Sequence, residues 1–176
     1  MILTGDEIQK QVQKNRIHIK PFEEQYINPN SYNYRLGFNL FEVLDRPLDP
    51  KSKPATKVIE FSNNGYILEP GRLYLANTYE EIGSNYYVTS LIGRSSLGRL
   101  GLFLQITADL GHLGAKHCWT LELKVVQPLL VYPKMIIGQV TFWMVKGDCK
   151  NLYNGKYAIH SEPHVSEIRH ELEGML

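Results

Sequence analysis

The sequence predicts a mainly β fold, in the form of a sandwich, a jelly roll or a small barrel, with one short helix at its amino terminus. Three observations lead to this prediction. Tyr, Val, Ile, Thr and Phe recur in short, strand-like runs. Pro-Gly, Asn-Gly and Asn-Asn pairs separate these runs. Clear helical periodicity is confined to the amino terminus, and many short strands with turns between them are typical of closed or two-layered β architectures.

The amino-terminal helix is predicted over residues 5–14. Thr4 and Glu7 have the spacing of a capping box, in which the two side chains bond to backbone N–H groups at the start of a helix. Ile8 and Val12 follow at a spacing that places both on one helical face. The sequence therefore supplies both a start signal and an apolar face for this helix.

Strands are predicted over most of the remaining chain. A Pro- and Lys-rich stretch, residues 45–57, is predicted as a solvated surface loop, and a second short helix is predicted around residues 165–172. The predicted strand segments are 31–44, 56–61, 65–82, 85–93, 100–110, 117–126, 129–145 and 155–160.

Length and composition indicate one soluble domain covering residues 1–176. The formal net charge is +1, which gives no overall attraction to nucleic acid or to a membrane surface. Two cysteines form no disulfide framework, the amino terminus lacks the order of a signal peptide, and no apolar run is long enough to span a bilayer. We therefore expect a cytoplasmic protein with no nucleic-acid or membrane partner.

Several common chemistries lack their motifs. His112, His117, Cys118 and Cys149 invite a zinc hypothesis, but their spacing is unlike the paired ligands of structural zinc sites. The zinc nucleobase deaminase pattern is absent, because "HSE" at 160–162 has no P-C-x-x-C to follow it. No G-x-S-x-G, G-x-G-x-x-G or P-loop is present. The sequence gives no support for zinc, for a serine nucleophile or for a P-loop.

Two motifs remain as candidates for chemistry. "GRSSLGRLG" offers Arg94 and Arg99, whose forked donors suit phosphate oxygens, together with the hydroxyl donors of Ser95 and Ser96. A plain surface turn explains the same residues, because turns favour Ser and Gly.

The second motif is "TLEL", at residues 120–123. Strand alternation places Glu122 on the face opposite its two leucine neighbours, a face that it shares with Thr120. The simpler alternative is a glutamate that faces solvent on an exposed strand.

Several motifs in matching order resemble the dCTP deaminase family, whose members are relatives of the trimeric dUTPases. The similarity covers nearly the whole chain. It is carried by "MILTGDEIQ", "INPNSYNYRLG", "LEPGRLYLANTYEEI", "GRSSLGRLGL", "WTLEL" and "YNGKY".

The resemblance implies a distorted jelly-roll subunit, a homotrimer with sites between subunits, and hydrolysis of dCTP to dUTP and ammonia. It implies Mg²⁺ carried by the triphosphate and no zinc. Glu122 would be the general acid/base, and Ser95 and Arg99 would hold the attacking water. A carboxyl-terminal segment, about residues 147–176, would close over the nucleotide. The residues expected to bind substrate are Arg94, Ser96, Ala108, His112, Thr120, Leu121, Tyr153, Lys156 and His160.

The sequence departs from the family pattern at three of its positions. His112 stands where the family has an aspartate that contacts the sugar in deaminases and activates water in the triphosphatases, while Asn33 and His160 replace a usual Asp and Gln. Loss of the aspartate makes a combined deaminase–triphosphatase less expected. Deamination of CTP or of a modified cytosine nucleotide, a dUTPase-like pyrophosphatase, and a catalytically silent nucleotide-binding trimer remain as alternatives.

Overall fold

The protein is described by a computed structural model that covers residues 1–104, 107–155, 157 and 161–173. Short strands dominate these residues, with three short helices and one 3₁₀ turn between them. In chain order the elements are α1 (Gly5–Gln13), β1 (Ile17–Lys20), the 3₁₀ turn (Glu24–Tyr26), β2 (Ile27–Asn28), β3 (Ser31–Val43), β4 (Thr56–Ile59), β5 (Tyr66–Leu68), β6 (Leu73–Ser84), β7 (Tyr87–Gly93), α2 (Ser95–Gly98), β8 (Leu102–Leu104), β9 (Leu110–Gly111), β10 (Lys116–Val125), β11 (Leu129–Val131), β12 (Ile136–Met144) and α3 (Arg169–Glu173).

One curled antiparallel sheet of ten strands forms the body of the molecule. Its main path runs β8-β10-β6-β3-β12-β7-β9, while β1 pairs with β6, and β2 and β4 pair with β3. Strands β5 and β11 form a separate two-stranded ribbon. This architecture confirms the predicted mainly β fold with a short amino-terminal helix.

The capping signal at the amino terminus works as one half of a capping box. The Glu7 N–H donates to Thr4 Oγ1 at 3.3 Å, which satisfies one of the free donors at the start of α1. The Glu7 carboxylate turns along the helix instead and accepts from Gln11 Nε2. Ile8 is fully buried and holds the helix on the sheet, as predicted.

The centre of the sheet is buried on both faces. Tyr32, Tyr34 and Leu36 of β3 are fully buried among the apolar side chains of the main core. On the opposite face of β3, the guanidinium of Arg35 pairs with the fully buried carboxylate of Glu80 on β6, with 2.6 Å between Nε and Oε1. An apolar layer and an ion pair therefore hold the two central strands together.

Some predicted segments differ from the observed elements. The 65–82 segment is divided at Gly71, where the backbone turns with φ +72°, and the 129–145 segment is divided at Lys134, with φ +61°. The predicted strand 155–160 is wrong at Gly155 and Tyr157, which lie outside the strands, and its other members lie outside the described residues. The carboxyl-terminal helix, expected from residue 165, begins only at Arg169.

Shorter elements went unpredicted. Strands β1 and β2, the 3₁₀ turn and the single turn of α2 are too short to give a periodic signal. Among the described residues, no helix has the length and apolar character needed to cross a membrane.

Candidate active site

A cavity of about 1020 Å³ lies against one face of strand β10. Its walls come from β10, from the end of β3, from the start of β6, from the 107–115 loop, from the surface loop before β4 and from the carboxyl-terminal tail, by which we mean the described residues that follow β12. The residues that line it are Val43, Leu48, Pro54, Leu73, Leu75, Thr107, Ala108, Leu110, His112, Ala115, His117, Trp119, Thr120, Glu122, Tyr153, Gly155, Tyr157, His164, Val165, Ser166 and Glu171. The cavity thus contains Glu122, Thr120, Ala108, His112 and Tyr153 from the sequence-predicted set.

Strand β10 places Thr120 and Glu122 side by side in the cavity wall, as alternation predicted. Opposite them on β6 lie Asn77 and Leu75 respectively. Leu121 points to the other face, where it is fully buried in the core, so any contact between Leu121 and a substrate would use its backbone. Glu122 itself is half-buried, which gives its carboxylate access to the cavity.

An irregularity in β10 brings one further large side chain into the same wall. The pairing with β6 shifts register between Cys118 and Thr120, so that Trp119 lines the cavity although it is adjacent to Thr120. Its backbone N–H donates to Thr78 Oγ1 at 2.9 Å, and its indole Nε1 donates to the Ile82 carbonyl at 2.9 Å. Two hydrogen bonds therefore fix this ring in the cavity wall.

His117 lies against Trp119 with ring centroids 4.5 Å apart. Both rings line the cavity that also contains Glu122, with their planes tilted by 32° to each other. The sequence suggested a role for His117 only as a zinc ligand, and it did not point to Trp119. A large aromatic residue within the "WTLEL" motif was the one available signal.

A second ring pair bounds the cavity at the 107–115 loop. The imidazole of His112 stacks on Tyr153, with centroids 5.4 Å apart and planes 25° apart. The Tyr153 N–H donates to the Leu113 carbonyl at 2.7 Å. Gly114 has φ +94°, and a Cβ there would lie 2.7 Å from the Leu152 Cβ, so only glycine permits this close approach.

The carboxyl-terminal tail crosses the cavity and is held by the two strands beneath it. The His164 N–H donates to Thr120 Oγ1 at 3.1 Å, and Asn77 Nδ2 donates to the Ser161 carbonyl at 3.2 Å. Val165 packs with Val43 and Leu75 in a small second core. The hydroxyl of Thr120, predicted as a substrate contact, therefore binds the tail in this structure.

A charged cluster centred on Glu167 holds the tail beyond this point. Glu167 lies 2.7 Å from Arg169, 2.8 Å from His170 and 3.8 Å from His164, and its N–H donates to the Tyr157 hydroxyl at 3.0 Å. Burial acts to raise the pKa of the Glu167 carboxyl, but attraction to Arg169 and the two imidazoles outweighs burial and lowers that pKa. The cluster therefore favours a charged carboxylate.

The Arg-Ser motif lies outside this cavity. Residues Ser95–Gly98 form one helical turn, in which Leu97 and Gly98 donate backbone bonds of 3.0 and 2.9 Å to the Arg94 carbonyl. Buried Leu97 holds this turn to the core, while Ser95, Ser96 and Arg99 are exposed and Arg94 is half-buried. In the part of the chain that the structure describes, neither arginine has an acidic partner.

The single chain therefore divides the predicted site residues into two groups. Glu122 and its neighbours line the cavity, and the arginines and serines stand on a separate exposed turn. Lys156 and His160 lie outside the described residues. Within the described ranges, no three His, Cys, Asp or Glu side chains meet in a metal-binding cluster. Burial raises the pKa of the Cys118 thiol to about 11, which leaves it protonated and a poor metal ligand.

Comparison with known proteins relates this geometry to a family. A family model described as dCTP deaminase-like matches residues 2–145. A "dCTP deaminase, dUMP-forming" of Clostridium beijerinckii is 46% identical over 157 residues, which cover 89% of this chain and 90% of the relative. A "dCTP deaminase" of Rhodopirellula baltica is 40% identical over 172 residues, which cover 98% of this chain and 86% of the relative.

The fold is also similar to a crystal structure of 2'-deoxycytidine 5'-triphosphate deaminase from Agrobacterium tumefaciens, with a TM-score of 0.65 at 21% identity. The similarity covers 82% of this chain and 48% of that one, so this chain spans about half the length of that solved structure. The residues matched by the family model include both the Arg-Ser turn and strand β10, whereas the tail lies beyond them. The chain belongs to the dCTP deaminase-like family.

Proposed function

We propose that this chain removes the amino group of cytosine from dCTP by hydrolysis, releasing ammonia. The observation that carries the proposal is the position of Glu122, half-buried in the wall of a cavity of about 1020 Å³ whose other walls are largely aromatic and apolar. Curated relatives at 40% and 46% identity carry names of dCTP deaminases. The cavity is large enough for a nucleotide, and flat rings suit a pyrimidine.

Glu122 is proposed as the general acid/base. Its carboxylate takes a proton from the water that attacks cytosine C4, and protons then pass to ring N3 and to the amino group, which leaves as ammonia while C4 becomes a carbonyl. Ser95 and Arg99 are proposed to hold the water and to stabilise the charge that develops on the ring. No zinc takes part in this proposed scheme.

Assembly is proposed to bring these groups together. Ser95 and Arg99 stand on an exposed turn and do not line the cavity that contains Glu122 in the same chain. A homotrimer with sites between subunits would place the turn of one copy at the cavity of another. Arg94 and Ser96 on that turn would bind the triphosphate, and Mg²⁺ would arrive as part of the Mg–dCTP substrate. Lys156 and His160 are proposed to reach the nucleotide from the tail.

We propose dUTP as the product, because His112 occupies the position of the aspartate that the resemblance assigns to water activation in triphosphatases. One observation favours dUMP instead. Relatives at 42–46% identity carry the name "dCTP deaminase, dUMP-forming". The two products differ by pyrophosphate, so one assay separates them.

Cytoplasmic action fits the two cysteines, which are free thiols in this chain.

The experiment is product identification. The purified chain is incubated with Mg²⁺ and either dCTP or CTP, and nucleotides, ammonia and pyrophosphate are measured. We expect dUTP and ammonia from dCTP. Appearance of dUMP and pyrophosphate would show that dUMP, and not dUTP, is the product. Faster turnover of CTP than of dCTP would contradict the proposed preference for the deoxyribonucleotide. Binding of both nucleotides without any product would contradict the enzymatic function and leave the silent nucleotide-binding trimer.

A further inference from the structure

The His112–Tyr153 ring pair lies between two cavities. Both rings line the main cavity, and both also line a second cavity of about 370 Å³ on the side of Leu110, Leu113 and Leu152. The pair thus stands between two open spaces. Stacking on a neighbouring ring helps to fix the orientation of each ring of the pair.

The backbone around the pair joins two segments that are distant in sequence. The hydrogen bond of 2.7 Å from Tyr153 to the Leu113 carbonyl and the close approach of Gly114 to Leu152 hold the loop and the tail together at this point. Residue 145 is the last that the family model matches, so this contact lies near the start of the tail. The hydrogen bond fixes where Tyr153 stands, and Gly155 lies against the hydroxyl end of its ring, where an added Cβ would clash with the Tyr153 oxygen. The stack with His112 supports a face of that ring.

We propose that His112 is a positioning residue, which holds the ring of Tyr153 at the angle needed to bound the nucleotide in the main cavity. The expected effect of His112 on the kinetics of dCTP turnover rests on the proposed function. The ring of Tyr153 bounds the nucleotide before and during the reaction alike, so loss of its correct tilt weakens binding and leaves the chemical step largely unchanged. The effect of removing His112 should therefore fall on KM and not on kcat.

The test compares His112→Ala with His112→Phe, which keeps a flat ring without the imidazole nitrogens. Aromatic pairs contribute enough for His112→Ala to raise the KM for dCTP by roughly threefold to tenfold, with kcat within about twofold. His112→Phe should restore KM to within about twofold of the original protein. Tyr153→Ala should raise KM similarly, and the double variant should be no worse than either single one, because both disrupt the same contact.

His18→Ala serves as the matched control, because His18 pairs with Glu81 at 3.0 Å on strand β1 and lines neither cavity. It should leave KM unchanged. An unchanged KM in His112→Ala, or a failure of His112→Phe to restore it, would overturn the positioning role.

A measurement without substrate separates this inference from the proposed function. Lys150 is exposed in the segment just before Tyr153, so trypsin cleavage there reports how firmly the segment is held. We expect faster cleavage in His112→Ala and the original rate in His112→Phe. If the original protein does not turn over dCTP, the proposed function fails, and equal cleavage rates in all three proteins would then overturn the positioning role as well.

Discussion

Two glutamates on neighbouring strands of the same sheet have opposite surroundings. Glu80 of β6 is fully buried, and its carboxylate accepts from the Arg35 N–H at 2.8 Å and from the Arg35 guanidinium at 2.6 Å. Glu122 of β10 is half-buried and faces a cavity. Glu80 is enclosed by permanent partners, whereas Glu122 has space beside it for water and a substrate. The contrast separates a structural carboxylate from a candidate catalytic one.

The ionisation of Glu80 illustrates the structural case. Burial raises the pKa of the Glu80 carboxyl, and the hydrogen bonds and charge of Arg35 oppose that rise without cancelling it. Arg35 is in turn enclosed by aromatic rings, with its guanidinium carbon 4.6 Å from the centre of the Tyr26 ring and 4.7 Å from that of Tyr79. The Glu80 carboxylate is therefore fixed in place by its partner and cannot contact a substrate.

Glu122→Gln should cause the greatest loss of activity among the variants considered. Loss of the proton-transferring group should lower kcat for deamination by roughly 10²- to 10⁴-fold, while dCTP still binds, because the amide keeps the size of the carboxylate. Glu81→Gln is the control, since Glu81 is exposed and pairs only with His18 among the described salt bridges. Substantial turnover by Glu122→Gln would remove Glu122 from the proposed mechanism.

The next effect concerns stability. Arg35→Met leaves the carboxylate of Glu80 buried without its cation, and breaking a buried pair in this way costs about 3–5 kcal/mol of the free energy of unfolding. Adding Glu80→Gln should recover part of that loss, because the uncompensated charge is then gone. Urea unfolding of the two variants measures both values. Equal destabilisation of the single and double variants would show that the charge is not the cause.

A third prediction concerns the loop beside the cavity. Gly114→Ala should destabilise the protein by about 1 kcal/mol or more and raise KM, because alanine is strained at positive φ and its Cβ would meet Leu152 and Tyr153. Gly147→Ala is a matched control, since Gly147 has a similar φ of +98° but nothing within 4 Å of the added Cβ. Thermal unfolding and dCTP kinetics should therefore change more for Gly114→Ala. Equal changes in both variants would mean that backbone strain is the cause and that contact of the added Cβ with Leu152 and Tyr153 is not.

The sequence predicted the parts of the site that depend on local pattern. Strand alternation was enough to place Thr120 and Glu122 on one face. The arginines and serines of "GRSSLGRLG" marked the Arg-Ser turn as a candidate phosphate site, and that role stays a prediction. The sequence did not reveal the register shift that brings Trp119 into the same wall, because a β-bulge depends on pairing with a distant strand. The "TLEL" pattern and the resemblance singled out Glu122, but the full burial of Glu80 was not predicted, since burial is a property of the folded chain.

Contacts across long sequence separations account for the rest. The bond from Asn77 to the Ser161 carbonyl spans 84 positions, and the one from His164 to Thr120 spans 44. The tail has weak periodicity, so its path over the cavity is set by these contacts and by Val165 in the small second core. The proposed approach of the Arg-Ser turn of one copy to the cavity of another involves two chains, and local pattern carries no information about it.

A modest effect on stability is expected at a third glutamate, Glu167, because its pKa is lowered whereas that of Glu80 is raised. Because the pKa of Glu167 is lower in the folded chain, the carboxyl of the unfolded chain binds its proton at a higher pH than the carboxyl of the folded chain does. The stabilisation is therefore present above the ordinary Glu pKa of about 4.3 and is lost as pH falls through the lower folded value. For Glu80 the sign is opposite, because its raised pKa makes stability fall as pH rises from the ordinary value to the folded one.

Glu167→Gln removes the pH dependence of stability that comes from Glu167 and keeps the one that comes from Glu80. The melting temperature of the original protein, measured from neutral pH down to acid, should therefore fall more than that of Glu167→Gln once the pH is below the ordinary Glu pKa. The shift should be modest, since the cluster is at the surface and salt screens it. The difference between the two proteins should shrink further in high salt. Parallel curves at low salt would mean that the Glu167 cluster does not hold the tail, and that Asn77, Thr120 and Val165 are sufficient to do so.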